Sequence, residues 1–182
     1  MKILPLDKGI KQCFTKVRTP DYLKEGDKIG IVASARKVTE QDMAPCINIL
    51  ESWELEVVLG ENIYAAQDQY AGSDKMRASD LQAMLDDTQI RAVLFARGGY
   101  GTVRIVDLLD FNGFSENPKW LIGYSDITVL HSHVNAICEV ETVHGVMAIN
   151  FVDDNHGVAA LKQTLFGEPQ SFELQPDRKS VV

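Results

Sequence analysis

The chain has 182 residues, 45% of them apolar and 24% charged, with a formal net charge of −8. That is enough for one core-bearing domain and the start of a second, and the acidic balance argues against a nucleic-acid partner, which a basic face would attract. No apolar run approaches the roughly 18 residues that span a membrane, and none follows the first lysine as in a secretory leader, so a cytoplasmic protein with no membrane partner is expected.

Residues 1–27 show no clean period and read as an N-terminal extension. "KEGDKIGIVA" supplies a turn at Glu25-Gly26-Asp27 and a strand, Ile29 to Ala33, apolar on both sides as a central parallel strand is. In "TEQDMAPCINILESW", Thr39 is placed to cap a helix and Asp42 to close a capping box. Met43, Ile47 and Leu50 give that helix its apolar stripe, although Pro45 falls later than proline is best tolerated. "LEVVLG" reads as a strand, "SDKMRASDLQAMLDD" as a helix capped by Ser73, and "IRAVLFA" as a third strand. "GYGTVRIVDLL" is expected to turn and then form a helix. "KWLIG" is the fourth strand, "DITVLHSHVNAIC" its helix, and "VETVHGV" a candidate fifth strand.

Alternating strands and helices with short connections predict an α/β fold: a parallel sheet flanked by helices on both faces, spanning 28–150. Residues 151–182 read as a linker or the start of a further domain, with one short helix, "VAALKQTLFG", ended by Gly167. The three cysteines, Cys13, Cys46 and Cys138, are far apart and form no CxxC pair, which suits reduced thiols and no zinc site.

Ligands of such sheets sit beyond the strands' carboxyl ends, and two unusual segments fall there, "RGGYG" and "GYSD". A serine hydroxyl needs a base and oxyanion donors to act as a nucleophile. A tight strand-to-helix turn projects the side chain and leaves the next helix's first N–H groups free. Gly123-Tyr124-Ser125-Asp126-Ile127 matches the first part of a G-x-S-x-G elbow, with Ile127 in place of the second glycine. Ser125 is thus a nucleophile or, equally in keeping with local sequence, a helix cap. Gly98, Gly99 and Gly101 permit close substrate approach and offer a further oxyanion donor. They lack the spacing of a dinucleotide or P-loop motif, so a nucleotide cofactor is not expected. Arg97 either grips a substrate carboxylate with its planar fork or pairs with an acidic neighbour.

"LKEGDKIGIVA", "YAGSDKMRASDLQAMLDD", "AVLFARGGYGTVRIVDLLD", "NPKWLIGYSDITVLH" and "VHGVMA" occur in the order seen in the LD-carboxypeptidases, the S66 serine peptidases. The resemblance covers about residues 22 to 150. The family includes murein tetrapeptide carboxypeptidases and the microcin C self-immunity peptidase. The resemblance implies a Rossmann-like or flavodoxin-like N-terminal domain with Ser125 as nucleophile. It also implies oxyanion donors from the backbone N–H groups of Asp126 and Gly99. Arg97, Gly98, Tyr100 and Tyr124 are the accompanying candidates for substrate binding. Departures are "ASARKVTE" in the first loop, Ser52-Trp53 where Leu-Gly is usual, and Val146 where proline is common.

Family members use a Ser-Glu-His triad whose glutamate and histidine lie in a second, C-terminal domain. The histidines of this chain are poor substitutes. His131 and His133, two apart on a helix, point about 200° apart and cannot chelate one metal, and His131 should not reach back to Ser125. His144 matches a structural part of the site rim, and His156 reads as a residue of a solvated loop beside Asp153 and Asp154. No metal and no cofactor are expected. The resemblance therefore implies the N-terminal part of a serine carboxypeptidase, a hydrolase and serine protease of LD-carboxypeptidase type that trims a murein tetrapeptide to a tripeptide in peptidoglycan recycling. Its partners would be the murein peptide and a missing C-terminal domain. Without that domain the chain is expected to be inactive and to self-associate, as in a homodimer, through the uncovered apolar face. The alternatives are a microcin-immunity-type hydrolase of the same family, a non-catalytic peptide-binding or interaction fragment, or a small-ligand α/β binding domain.

Overall fold

The computed structural model describes residues 17–152 and 156–169. Cys13 and the Asp153-Asp154 pair lie outside them. Five strands form one parallel sheet: β1 (Lys28–Val32), β2 (Glu56–Leu59), β3 (Ile90–Phe95), β4 (Trp120–Gly123) and the two-residue β5 (Val143–His144). Their spatial order is β2-β1-β3-β4-β5, so the direction of winding reverses between β1 and β3.

The alternation of strand side chains divides the core between the two faces. Ile29, Ile31, Leu94 and Ile122 meet α1 (Glu40–Ser52), through Met43, Cys46 and Leu50, and α5 (His156–Leu165), through Leu161 and Leu165. Val32, Val93, Phe95 and Leu121 meet the other layer, α2 (Asp74–Asp86) with Leu81 and Leu85, and α4 (Thr128–His133) with Leu130. Gly30 lets α2 settle directly on β1, since a Cβ there would stand 2.6 Å from the Met84 sulfur.

Both expected caps are present. Thr39 Oγ1 accepts from the Asp42 N–H while the Asp42 carboxylate accepts from the Thr39 N–H, and Ser73 Oγ accepts from the Met76 N–H. Pro45 stands inside α1 without ending it. At the other end of α2, buried Lys119 donates to the Met84 and Asp87 carbonyls. These are C-terminal carbonyls that the helix leaves without internal donors. Burial pushes the Lys119 ammonium down to about 8.

Three expectations are corrected. "GYGTVRIVDLL" forms two 3₁₀ turns, Thr102–Arg104 and Val106–Leu108, instead of a helix. The β-branched Thr102, Val103, Ile105 and Val106 are poor helix formers, and the Thr102 N–H and hydroxyl are engaged by other segments. A short helix, α3 (Asn112–Glu116), lies just after it. The segment after β4 is a 3₁₀ turn, then α4, then a π-helical turn over Val134–Cys138. It stops at Glu139, whose φ of 55° is left-handed. His156 opens α5 instead of lying in a loop.

The segment before β1 also belongs to the packed body. Tyr22 stacks on Trp120, the Trp120 indole N–H donates to the Asp21 carbonyl, and the Leu23 N–H donates to the Leu165 carbonyl at 2.8 Å.

Candidate active site

The strand β4 ends at Gly123, and the chain turns sharply through Tyr124 into Ser125. Ser125 has φ +60°, a left-handed conformation that costs an L-residue about 1–2 kcal/mol. Extended Tyr124 followed by left-handed Ser125 and an immediate 3₁₀ turn is the geometry of a nucleophile elbow. Gly123 is required because a Cβ there would lie 2.9 Å from Ile127 Cγ1. Ile127 packs back onto the strand end, so its place in the partial elbow motif is taken by a fully buried side chain. Ser125 itself stays exposed, and no capping hydrogen bond from its side chain is present at this turn.

The glycine turn after β3 lies directly against the serine. A Cβ on Gly98 would stand 3.5 Å from Ser125 Oγ, filling the space a reacting carbonyl would occupy. Gly99 takes φ +135°, and Gly101 approaches the Ala35 backbone so closely that a Cβ would lie 2.8 Å from its Cα. The turn is tied down by the elbow itself: the Thr102 N–H donates to the Asp126 carboxylate at 2.8 Å. Behind it, the Thr102 and Ser34 hydroxyls share a buried 2.8 Å hydrogen bond, and the Arg77 Nε donates to the Ser34 carbonyl. Among the described residues, neither the Gly99 nor the Asp126 N–H is engaged by another protein group.

These elements enclose a cleft of about 380 Å³, with Arg36, Arg97, Gly98, Gly99, Tyr124 and Ser125 on its walls. Met147 and Ile149 add an apolar side. It sits over the carboxyl ends of β1, β3 and β4, at the reversal of strand order where open parallel sheets bind ligands. The structure thus brings together Ser125, Arg97, Gly98, Gly99 and Tyr124. It does not bring Tyr100 to the cleft wall; that ring is 58% exposed. The Asp126 side chain is directed to Thr102 and away from the cleft. Arg36 was not legible as a site residue from any motif, although the rule of strand-order reversal points to the β1 loop that carries it. The Asp126–Thr102 tether had no sequence signal, because it joins two loops from different strands.

No histidine lines the cleft. His131 is buried and its Nε2 donates to the Gly123 carbonyl at 2.8 Å, leaving Nδ1 as a buried acceptor without a partner. Burial holds the imidazole below its ordinary range, with a smaller contribution from His144 and an opposing one from the Gly123 carbonyl. It is therefore a neutral support for the strand end. His133 diverges from it and packs on Phe111, ring centroids 4.8 Å apart. His144, at the end of β5, meets the edge of Tyr124 with centroids 6.3 Å apart.

Residues 29–145 match the LD-carboxypeptidase N-terminal domain of the S66 peptidases. A Streptomyces coelicolor protein named as a carboxypeptidase is 37% identical over 81% of this chain and 49% of its own length. A Bacillus subtilis protein named as a murein peptide carboxypeptidase is 35% identical over 92% of this chain and 54% of its own. Among solved structures, the microcin C7 self immunity protein MccF superposes with a TM-score of 0.78 at 23% identity, covering 86% of this chain and 50% of that one. The muramoyltetrapeptide carboxypeptidase of Oxalobacter formigenes superposes at 0.67 and 23% identity, covering 75% and 47%. These likenesses carry the fold. No described helix is long and apolar enough to cross a membrane. The chain spans about half the length of the relatives it matches, and across that span it belongs to the LD-carboxypeptidase family of S66 serine peptidases.

Proposed function

We propose that this chain carries the nucleophile and oxyanion site of a cytoplasmic LD-carboxypeptidase that removes the terminal D-amino acid from a murein tetrapeptide during peptidoglycan recycling. The observation that carries the reading is the left-handed Ser125 at the end of β4, facing the glycine turn at the distance a Gly98 Cβ would bridge in 3.5 Å. Ser125 Oγ attacks the carbonyl of the L,D-peptide bond while its proton passes to a general base. The Gly99 and Asp126 N–H groups hold the oxyanion, and collapse of the tetrahedral species expels the D-amino acid as its amine is protonated. Water then releases the acyl group from Ser125. Arg97 and Tyr124 flank the substrate at the cleft wall.

No described histidine stands on the cleft wall, and this reading has the base and the carboxylate that orients it supplied by a further domain of the family. In this reading residues 28–150 bear the nucleophile and residues 151–182 lead toward the part that bears the base. The test is release of D-alanine from L-alanyl-D-glutamyl-meso-diaminopimelyl-D-alanine. The 182-residue chain alone should release it no faster than its Ser125→Ala variant. Joined to a base-bearing C-terminal domain of the family, the chain should turn the tetrapeptide over, and Ser125→Ala should then cost several orders of magnitude. Ordinary turnover by the chain alone, abolished by Ser125→Ala, would place the base within these residues, with His144 the first to replace. Hydrolysis of an acyl adenylate in preference to the tetrapeptide would instead select the microcin-immunity activity.

A further inference from the structure

The cleft beside Ser125 is cationic in a chain whose net charge is −8. Two guanidinium groups, Arg36 and Arg97, line it, and among the described residues no aspartate or glutamate does. Neither forms an ion pair among the described residues.

Arg36 is also held in place. Its backbone bridges to Tyr70, and on either side the Ala71 N–H donates to the Ala35 carbonyl and the Lys37 N–H to the Gln69 carbonyl. Its stem lies flat on the glycine turn: a Cβ at Gly99 would stand 2.7 Å from Arg36 Cγ, 3.0 Å from Cδ and 3.2 Å from Nε. The absence of a side chain at Gly99 therefore serves Arg36 as well as the backbone, and it seats the Arg36 stem on the cleft that Ser125 also lines. An arginine fixed by packing has less rotamer freedom to lose on binding, and its fork matches a carboxylate through two parallel hydrogen bonds. A carboxylate one residue beyond the scissile carbonyl is the anion that marks the substrate end for a carboxypeptidase.

We infer that Arg36 is a specificity-determining residue that reads the free terminal carboxylate of the peptide seated on Ser125. This rests on the carboxypeptidase reading and names the group that would make the enzyme act at a chain end. Arg97 borders the same cleft, and Arg36 is the arginine whose stem packs on the glycine turn.

The test is calorimetric binding to the 182-residue chain in a Ser125→Ala background, so that no turnover intervenes. Three probes are used: the L,D-tetrapeptide with a free terminal carboxylate, its terminal amide, and the all-L peptide acid of the same sequence. The acid should bind at least tenfold more tightly than the amide. Arg36→Ala should erase that difference, and Arg36→Lys should restore only a part of it, because an ammonium lacks the fork. Arg36 is exposed, so these variants should fold, and circular dichroism checks that they do. Equal binding of acid and amide by the parent chain, binding of neither, or a preference that survives Arg36→Ala overturns the inference. The stereochemical arm reports separately: loss of L,D over all-L preference, with acid over amide preference intact, overturns the murein substrate and keeps Arg36 as a carboxylate reader.

Discussion

The two halves of the sheet are built by different means. On the β2-β1-β3 side, α1 and α2 are each 13 residues long, and each begins at a side-chain cap from its own local sequence, Thr39 or Ser73. On the β4-β5 side, the segment after the strand starts with a left-handed serine and has no side-chain cap. It passes through 3₁₀, α and π geometry before ending at a left-handed glutamate. That half is held by bonds between distant segments. Asp126 holds Thr102, His131 supports Gly123, and Arg18 reaches the Ser115 and Cys138 carbonyls. The regular half folds by rules that its sequence states locally and serves as the scaffold. In the irregular half, backbone strain at Ser125 is maintained by tertiary contacts, as strain at functional sites requires.

The difference can be broken most severely at Asp126. Asp126→Ala should destabilise the fold by about 1–3 kcal/mol, the cost of leaving a part-buried N–H without its charged acceptor. It should also raise the hydrogen-exchange rate of the Thr102 amide. Asp126→Asn, which retains an acceptor oxygen, should recover much of both. Denaturant unfolding that leaves Asp126→Ala within a few tenths of wild type would show that the irregular half does not depend on this tether.

A smaller effect sharpens the comparison at the serine. Glycine enters the left-handed region without a Cβ penalty, so Ser125→Gly should be more stable than Ser125→Ala by about 1 kcal/mol. If thermal or denaturant unfolding ranks alanine level with glycine, the elbow stores no strain.

The regular half should respond locally and with pH. Thr39→Ala should cost about 1 kcal/mol at neutral pH, as other N-cap losses do. The Thr39 hydrogen bonds hold the Asp42 carboxyl below its ordinary value of 3.8. Their contribution is complete above that value and is lost as the pH falls below it, because the unfolded chain then takes up the proton first. Thr39→Ala keeps the backbone N–H bond to Asp42 and removes the hydroxyl's bond, so the gap between wild type and Thr39→Ala should narrow below pH 3.8 by the hydroxyl's share alone. A gap that stays constant down to pH 2 would assign the cost to something other than the reciprocal cap.

The same contrast explains what the sequence disclosed. Capping residues, apolar periods and strand-end glycines are local signals, and they located β1 to β4, α1, α2 and the elbow. The 3₁₀ turns after Gly101 stand where a helix was expected. The competing hydrogen bonds to Asp126 and Ser34 come from elsewhere in the chain. Arg36 was hidden for a similar reason: what marks it is the glycine turn of another strand lying beneath its stem. Lys119 opens the segment expected as the fourth strand, and its burial becomes visible only with the carbonyls at the end of α2 that it meets.

The hydrogen bond from Leu23 to Leu165 joins one of the first described segments to the last described helix. Leu23, Leu161 and Leu165 all belong to the core layer that covers β1, β3 and β4. During synthesis, β1 to β4 emerge with that face covered only in part, by α1, and the layer closes once α5 has left the ribosome. The nascent protein therefore exposes part of the apolar side of a parallel sheet until α5 has been made. That is the interval in which such sheets are open to aggregation and to chaperone capture.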